Sequence, residues 1–229
     1  MTVSESEHAV VELEVARALI PDDFTPSAYH RLGKRLFDIV FGLILLILMS
    51  PLIMLAWVLV RLTTPGAGFF HQNRVGQHAN LFRCYKLRSM HTDQDRLIDM
   101  AAVREIEARG QLVKLENDPR VTRIGKLLRK GSIDELPQLW NVVKGDMSLV
   151  GPRPLMPHMM VTHPKLTARR CLVKPGLTGQ WQIKARAHNR SLGDMVQHDF
   201  DYINNCNLLN DLRILAATVP VVLTAKGAH

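Results

Sequence analysis

The chain has 229 residues, enough for one sizeable domain with an appendage. Its net charge is +8; residues 1–33 carry −4, which leaves +12 on the remainder. A basic body suggests anionic partners such as nucleic acid, acidic lipid or phosphorylated substrates, although a solvated basic surface would show the same charge. The three cysteines are far apart, which fits reduced thiols and excludes a C-x-x-C metal site. The acidic N-terminal segment has no early apolar core, so no secretory signal peptide is expected.

The strongest compositional feature is an uncharged, mostly aliphatic run from Ile39 to Val60. A helix that spans a bilayer needs about 20 such residues. A buried core helix is the structural alternative, but a helix of a soluble protein usually keeps a polar stripe. This run has none, so the sequence favours insertion into a membrane.

Ser50-Pro51 lies in the middle of this run, where proline removes a backbone hydrogen bond and clashes with the preceding turn. Two structures are compatible with it: a kinked span, or a helix–break–helix that enters and leaves by the same face. The arm from Phe37 to Met49 would reach roughly 20 Å, short of a hydrocarbon core of about 30 Å. The run is flanked by basic residues, which favour two cytoplasmic ends. These are Lys34, Arg35 and Arg61. The residues alone leave the two alternatives nearly even.

After Arg61 the pattern predicts a mixed domain of short elements. Strands are expected at Phe69-Phe70 and Leu81–Leu87. Helices are expected at 92–115, 124–128 and 136–143, followed by a loop-rich segment over 152–179. The segment Leu208–Leu223 is predicted to be an apolar, partly amphipathic helix that packs on the core or lies at the membrane interface.

The central candidate site is the acidic pair Asp134-Glu135. A purely structural interpretation exists, because Ser132 and Glu135 match a capping box before an apolar helix. The buried face of that helix would be Leu136, Leu139, Trp140 and Val143. Pro137 argues against this interpretation, because it would occupy a position where a backbone N–H is needed. With Asp134 as the N-cap, Pro137 falls at a position whose N–H has no intrahelical partner. The sequence therefore places Asp134 at a helix start, where phosphate can bind.

Two carboxylates side by side can divide the work of phosphoryl transfer. Adjacent helical residues point in different directions, so one carboxylate can attack phosphorus while the other holds Mg²⁺. Arginine can neutralise charge on the transferring group, and Arg129 precedes the pair.

Two later segments also suit the binding of a ligand. In Gly151-Pro152-Arg153-Pro154 the prolines stiffen the backbone, so the guanidinium of Arg153 suits a phosphate clamp. A rigid surface turn with a solvated arginine is the alternative. In the segment 174–182 two glycines near a proline permit close approach of the backbone to a ligand, or form an ordinary turn that enters a strand.

The motifs just described belong to a longer series along the chain, which consists of Lys34-Arg35-x-Phe37-Asp38, Ser50-Pro51, Gln72-Asn73-Arg74-Val75-Gly76, Lys86-Leu87-Arg88-Ser89-Met90, Asn117-Asp118-Pro119-Arg120, Asp134-Glu135, Gly151-Pro152-Arg153-Pro154 and Pro175-Gly176-Leu177-Thr178-Gly179. With these motifs in this order, the chain resembles the bacterial sugar transferase family, the monotopic polyprenyl-phosphate glycosyl-1-phosphate transferases, over roughly residues 34 to 227. Within the family, the chain most resembles the short enzymes that start exopolysaccharide assembly with galactose or glucose.

The resemblance implies an α/β fold: a small membrane-associated catalytic domain on a re-entrant membrane hairpin, with interfacial amphipathic helices. The break in the hairpin is expected at Ser50 and Pro51. Four parts follow: a polar leader over 1–33, the re-entrant helix over 34–62, a cytoplasmic catalytic domain over 63–205 and a C-terminal interfacial helix over 206–229.

The resemblance also implies a reaction at the cytoplasmic face of the bacterial inner membrane. A sugar 1-phosphate moves from a UDP-sugar to polyprenyl phosphate, with UMP released and a phosphosugar-aspartate as intermediate. Asp134 is the expected nucleophile, and Glu135 the expected Mg²⁺ ligand with Asp134 as second candidate. Phosphate contacts are expected from Arg88, Arg129 and Arg153. The nucleotide-sugar loop is expected to contain Gly151, Pro152, Pro175, Gly176, Thr178, Gly179 and Arg186.

The expected partners are the UDP-sugar, polyprenyl (undecaprenyl) phosphate and membrane lipid, with no nucleic acid; a homo-oligomer stays open. Lys184-Ala185-Arg186 departs from the family's usual Ser-Gly-Arg in the sugar-recognition loop. Two alternatives remain. A non-catalytic membrane adaptor would explain the charge and the apolar run, but not Asp134-Glu135 beside Pro137. A transferase that acts by a single direct displacement would use the same residues without a covalent intermediate.

Overall fold

The computed structural model describes residues 14, 17–21, 24–92, 103, 105–106, 109, 118–184 and 191–224. Most of the predicted helix over 92–115 therefore lies outside the described residues. Within them the chain forms a mixed helix-and-sheet fold around one long apolar helix near the N-terminus.

The long helix, α1, runs from Lys34 to Thr63 and includes Pro51. Pro51 has no N–H to donate to the carbonyl of Ile47, and the hydroxyl of Ser50 donates to that carbonyl instead, at 2.8 Å. The chain is therefore helical through Ser50-Pro51, where a break was expected. Only 17% of the most apolar 18-residue window of α1 is buried. The core helix of a soluble protein would be mostly buried, so α1 is suited to a membrane by its exposure as well as its length.

Both ends of α1 contact the same folded domain. Near the N-terminal end, the buried carboxylate of Asp38 accepts hydrogen bonds from the Ser148 hydroxyl and the Leu149 N–H, each at 2.9 Å. Near the C-terminal end, Val60 belongs to a buried cluster that includes Leu128. No residue from 43 to 52 is buried, and the exposed apolar side chains of this middle stretch include Ile44, Ile47 and Leu48. Exposed apolar side chains also lie near both ends of the helix, at Leu36 and Leu62.

Two small sheets complete the framework. Strand β1 (Phe69–Val75) pairs antiparallel with β2 (Leu81–Leu87). Both strands were predicted, and β1 extends beyond the expected Phe69-Phe70. Strand β3 (Ser148–Val150) pairs in parallel with β4 (Gly176–Thr178). This second sheet joins the two loop segments that the sequence singled out for ligand binding.

The remaining helices are short, except near the C-terminus. They are α2 (Arg123–Lys130), α3 (Gln138–Lys144), α4 (Pro157–Thr162), α5 (Pro164–Thr167), α6 (Gln180–Lys184), α7 (Leu192–Asn204) and α8 (Leu208–Leu223). Helix α8 has the predicted bounds. The segment expected to be loop-rich instead contains α4, α5 and a 3₁₀ turn over Ala168–Leu172.

The buried face of α3 differs from the predicted one. Leu139 and Val142 are fully buried, whereas Trp140 is 52% exposed. The reason is Asn141, which is buried because its side chain is hydrogen-bonded to β2. Its Oδ1 accepts from the N–H of Tyr85 at 3.0 Å, and its Nδ2 donates to the carbonyl of Arg83 at 2.7 Å. These bonds turn α3 so that Trp140 points away from the core.

Helix α8 packs on the core through one face and leaves the other exposed. The buried carboxylate of Asp211 contacts Lys34 Nζ at 2.7 Å and the hydroxyl of Tyr29 at 2.7 Å, which ties α8 to the start of α1. Its opposite face exposes Leu209 and Val219. Core packing, one of the two outcomes that the sequence left open, therefore occurs, and the position of the exposed apolar face at a membrane interface stays a prediction.

Candidate active site

A narrow open cleft lies between β2, the acidic turn and the second sheet. Its lining residues are Arg74, Cys84, Lys86, Glu135, Gln138, Arg153, Pro154, Gly176, Leu177 and Gln182. The cleft thus brings together the acidic segment and both proline-containing loops, which are distant in the sequence.

The acidic pair lies in a 3₁₀ turn, Ile133–Glu135, that precedes α3. Ser132 adopts a left-handed conformation with φ of 53°, and its side chain makes no capping bond to the turn. Pro137 occupies the N-cap of α3, where no N–H is required. The sequence correctly placed Asp134 near the start of this helix, but Asp134 lies in the turn before α3 rather than at its N-cap. The capping box is not formed.

Glu135 lines the cleft and forms an ion pair with Lys86, with 2.8 Å between Oε1 and Nζ. The two side chains are only 21% and 23% exposed, so solvent screens them partially. Lys86 projects from β2 toward the acidic turn. The sequence interpretation assigned no role to this lysine.

Asp134 is 7% exposed and lies among opposing charges. Burial, and then the negative charge of Glu135, raise the pKa of its carboxyl, while the cations Lys86 and Arg129 act against the shift. A carboxylate of raised pKa is a stronger base, and the cations favour its ionised form. These properties suit a nucleophile that attacks a charged phosphoryl group.

Arg129 and Arg153 have different surroundings. Arg129, in the last turn of α2, donates from Nε to the hydroxyl of Ser89 at 3.0 Å. The guanidinium of Arg153 lies over the ring of Trp181, 5.4 Å from its centroid. Within the described part of the chain the guanidinium has no hydrogen-bond acceptor. It can therefore receive an anion that enters the cleft.

Arg88 lies in a different environment. Its guanidinium donates to the carbonyl and the hydroxyl of Thr64, each at 2.9 Å, and to the carbonyl of Pro65. Burial and the nearby Arg61 lower its pKa. Arg88 thus anchors β2 to the loop after α1 and does not line the cleft, so its phosphate contact stays a prediction.

The loop glycines contact one another's backbone. Gly151 N–H donates to the carbonyl of Thr178 at 2.9 Å, and Gly176 N–H donates to that of Pro152 at 2.8 Å. A Cβ atom at Gly176 or Gly179 would overlap the backbone of Gly151. The close approach expected of these glycines is therefore to another loop, and their direct contact with a nucleotide sugar stays a prediction.

The other expected loop residues are distributed around this junction. Pro152 and Pro175 line a second cavity, and Arg153 lines both this cavity and the cleft. The hydroxyl of Thr178 is 2.7 Å from that of Thr218 on α8. Arg186 lies outside the described residues. Sequence reasoning missed Arg74 as a residue of the cleft, and it also missed the amides Gln138 and Gln182.

The donor set at the cleft fits Mg²⁺ as an ion shared with a substrate. The described residues contain no group of three or more His, Cys, Asp or Glu that could hold a metal. Mg²⁺ is nevertheless commonly bound through one or two carboxylates plus substrate phosphates and water. Asp134 and Glu135 supply two neighbouring carboxylates, and Glu135 faces the cleft.

Comparison with known proteins places the chain in a family. The sequence model for "Bacterial sugar transferase" matches residues 29–225. The chain therefore belongs to the bacterial sugar transferase family.

Three similar proteins differ in how much of their length is matched. The undecaprenyl-phosphate galactose phosphotransferase of Salmonella typhimurium is 42% identical over 202 residues, which cover 87% of this chain and 42% of that protein. The UDP-galactose-lipid carrier transferase of Erwinia amylovora is 40% identical, with 87% and 42% covered. The exopolysaccharide production protein ExoY of Sinorhizobium fredii is 37% identical, with 86% and 88% covered. The chain thus spans less than half of the first two relatives and most of the third.

Proposed function

We propose that this protein transfers a sugar 1-phosphate from a UDP-sugar to undecaprenyl phosphate, giving undecaprenyl-diphosphate-sugar and UMP. The observation that carries the proposal is the acidic pair with Lys86 and Arg129 near Asp134, and with Glu135, Lys86 and Arg153 lining one cleft, in a chain of this family. The relatives from Salmonella typhimurium and Erwinia amylovora support it, because their names specify an undecaprenyl-phosphate phosphotransferase and a UDP-galactose-lipid carrier transferase. The exopolysaccharide name of the third relative suggests the first membrane step of such a glycan.

In the first step the carboxylate of Asp134 attacks the β-phosphorus of the UDP-sugar. The bond between that phosphorus and the bridging oxygen breaks, and UMP leaves with the electron pair. The phosphosugar remains on Asp134 as an acyl phosphate. In the second step an oxygen of undecaprenyl phosphate attacks the same phosphorus, and Asp134 leaves as a carboxylate. Two displacements replace one, which is the logic of covalent catalysis.

The surrounding residues position and neutralise charge. Arg153 can pair with phosphate oxygens in the bidentate geometry of a guanidinium. Lys86 holds Glu135 in place, and with Arg129 it favours the ionised form of Asp134. Mg²⁺, held by Glu135 with Asp134 as second candidate, would offset negative charge on the phosphates. Chelation by EDTA should stop UMP release, and added Mg²⁺ should restore it.

We also propose that α1 is re-entrant and that the domain lies at the cytoplasmic face of the bacterial inner membrane. The contacts of both helix ends with one domain support this arrangement, as does the stretch of residues 43–52, in which no residue is buried. The basic residues that flank α1 support this arrangement less than the sequence suggested, because two of them are bound to the protein itself. Lys34 is buried against Asp211, and Arg35 donates to the carbonyls of Val142 and Val143 at 2.7 Å. Membrane lipid would then surround the middle of α1.

The transfer is tested with purified protein, undecaprenyl phosphate and a panel of UDP-sugars. UDP-galactose comes first, because it is the sugar named for two relatives. UMP release that requires a UDP-hexose supports the proposal. No UMP from any UDP-sugar would leave the membrane adaptor as the better account.

The topology is tested with single cysteines placed next to Met1 and at His229, labelled from outside in intact spheroplasts. Background labelling should be low, because the native cysteines are buried. Neither terminus should react until the membrane is permeabilised. Labelling of one terminus alone from outside would rule out the re-entrant arrangement.

A further inference from the structure

A buried ion pair holds the backbone of Arg153. The guanidinium of Arg170 is 5% exposed and donates from Nη2 to the carbonyl of Arg153 at 2.6 Å. The same group contacts Asp199, with 2.8 Å from Nε to Oδ2. Asp199 lies on α7 and is fully buried.

Arg153 is constrained on two further sides. The carbonyl of Pro154 accepts a hydrogen bond from Arg74 at 3.2 Å. Two successive backbone carbonyls, those of Arg153 and Pro154, are therefore each held by an arginine. The buried ring of Trp181 lies beneath the side chain. The guanidinium is thereby directed along one face of the ring.

Stability alone is a weak explanation for the ion pair. Removing two charges from water costs free energy, and replacement of a buried pair by apolar residues is often neutral or stabilising. Asp199 also has a buried oxygen, Oδ1, without a hydrogen-bond partner among the described residues. The pair does, however, fix the carbonyl of Arg153, whose side chain lines the cleft.

We propose that Arg170 and Asp199 are positioning residues that preorganise Arg153 for the phosphates of the nucleotide. This inference rests on the proposed function, which supplies the phosphate ligand. Preorganisation raises affinity because less freedom is lost on binding. Arg170 and Asp199 act through Arg153 and do not touch the substrate. Their loss should weaken phosphate binding while leaving Asp134 and Glu135 in place.

The probe is UMP, and its affinity for the full-length protein in detergent is measured by calorimetry. Arg170→Lys keeps a charge opposite Asp199 but loses the planar fork that reaches two acceptors. We expect its Kd for UMP to rise about tenfold, equivalent to about 1.4 kcal/mol. Asp199→Asn should give the same loss and serves as a second variant if the lysine protein is unstable. Arg169→Lys is the matched control, because Arg169 contacts Phe200 and Asn204 instead. Its Kd should be unchanged.

A double-variant comparison separates positioning from general disruption. In an Arg153→Ala background, Arg170→Lys should weaken UMP binding no further, because the guanidinium that it positions is gone. An additive loss in that background would overturn the proposal, and so would a wild-type Kd in the single Arg170→Lys variant. Wild-type protein that fails to bind UMP would also overturn it. If wild-type protein binds UMP with this dependence but releases none from UDP-sugars, the proposed function fails while the positioning role stands.

Discussion

The two walls of the cleft are built from different parts of the chain. One wall, the acidic wall, consists of the turn Ile133–Glu135 and Lys86, and it presents side chains of opposite charge. The other, the glycine wall, consists of residues 151–154 and 175–179, where backbone contacts backbone and Arg153 projects into the cleft. Substitutions on the acidic wall should therefore change the chemistry in a folded protein. On the glycine wall most substitutions should change folding.

The largest effect is expected on the acidic wall. Asp134→Asn keeps the shape of the side chain but cannot form an acyl phosphate, so turnover should fall by more than about a thousandfold. Thermal unfolding should stay near that of the wild type, which distinguishes lost chemistry from lost structure. Glu135→Gln should lose less, because the attacking atom remains, and excess Mg²⁺ should restore part of its rate. Substantial turnover by the asparagine variant would remove Asp134 from the mechanism.

Arg153 is the exception on the glycine wall. Arg153→Ala should lower kcat/KM about a hundredfold, the typical cost of removing one donor to developing charge. Arg153→Lys should recover only part of this, because the bidentate geometry is lost. Arg88→Lys is the comparison, since its guanidinium serves the carbonyls of 64–66. It should lower the melting temperature and leave KM for the UDP-sugar unchanged. An increase in KM would instead support the phosphate contact predicted for Arg88.

A smaller effect, on stability rather than on turnover, is expected from substitutions at the glycine contacts. A Cβ at Gly179 would overlap the backbone of Gly151, so Gly179→Ala should cost about 1–3 kcal/mol, as overpacking usually does. Gly193→Ala is the control, because its Cβ would meet only the Ser191 hydroxyl, at 3.4 Å. Denaturant unfolding of the two variants measures the difference. Equal stabilities would mean that the two loops can separate without cost.

The smallest effect is a shift in pH dependence. Asp134 must be ionised to attack, and its pKa is raised by burial and by Glu135. Single-turnover UMP release should therefore decline as pH falls through a value above the ordinary range for aspartate. Glu135→Gln removes a like charge and should move this limb to lower pH. Lys86→Gln removes a cation and should move it to higher pH. Shifts in the same direction would contradict the charge arrangement of the acidic wall.

The sequence could predict features that depend on neighbouring residues along the chain. The apolar runs predicted α1 nearly to its ends and α8 to the residue, because helix formation and uniform apolarity are local properties. The acidic pair was found because two carboxylates before a proline form a distinctive local pattern. The division into four parts, by contrast, stays a prediction.

The features that the sequence could not predict depend on contacts between distant segments. The assignment of Trp140 to the core was wrong because the hydrogen bonds that bury Asn141 come from β2, more than fifty residues away. The local apolar pattern does not indicate these bonds. Gly151 and Gly176 meet through the pairing of β3 with β4, which no local pattern indicates. Lys86 belongs to the site because the fold brings β2 beside the acidic turn, and the sequence of β2 alone does not indicate this. The break was expected because Pro51 leaves a backbone carbonyl without its usual donor, but the hydroxyl of Ser50 donates to that carbonyl, which belongs to Ile47.

The central claim is that Asp134 carries the phosphosugar, and intact mass spectrometry tests it most directly. Wild-type protein given UDP-sugar without undecaprenyl phosphate should release up to one equivalent of UMP and gain the mass of a hexose phosphate. Peptide mapping should place that mass on Asp134, and adding undecaprenyl phosphate should remove it. Asp134→Asn should show neither signal. An adduct on another residue, or on the asparagine variant, would contradict the account, and turnover without any adduct would favour a single direct displacement.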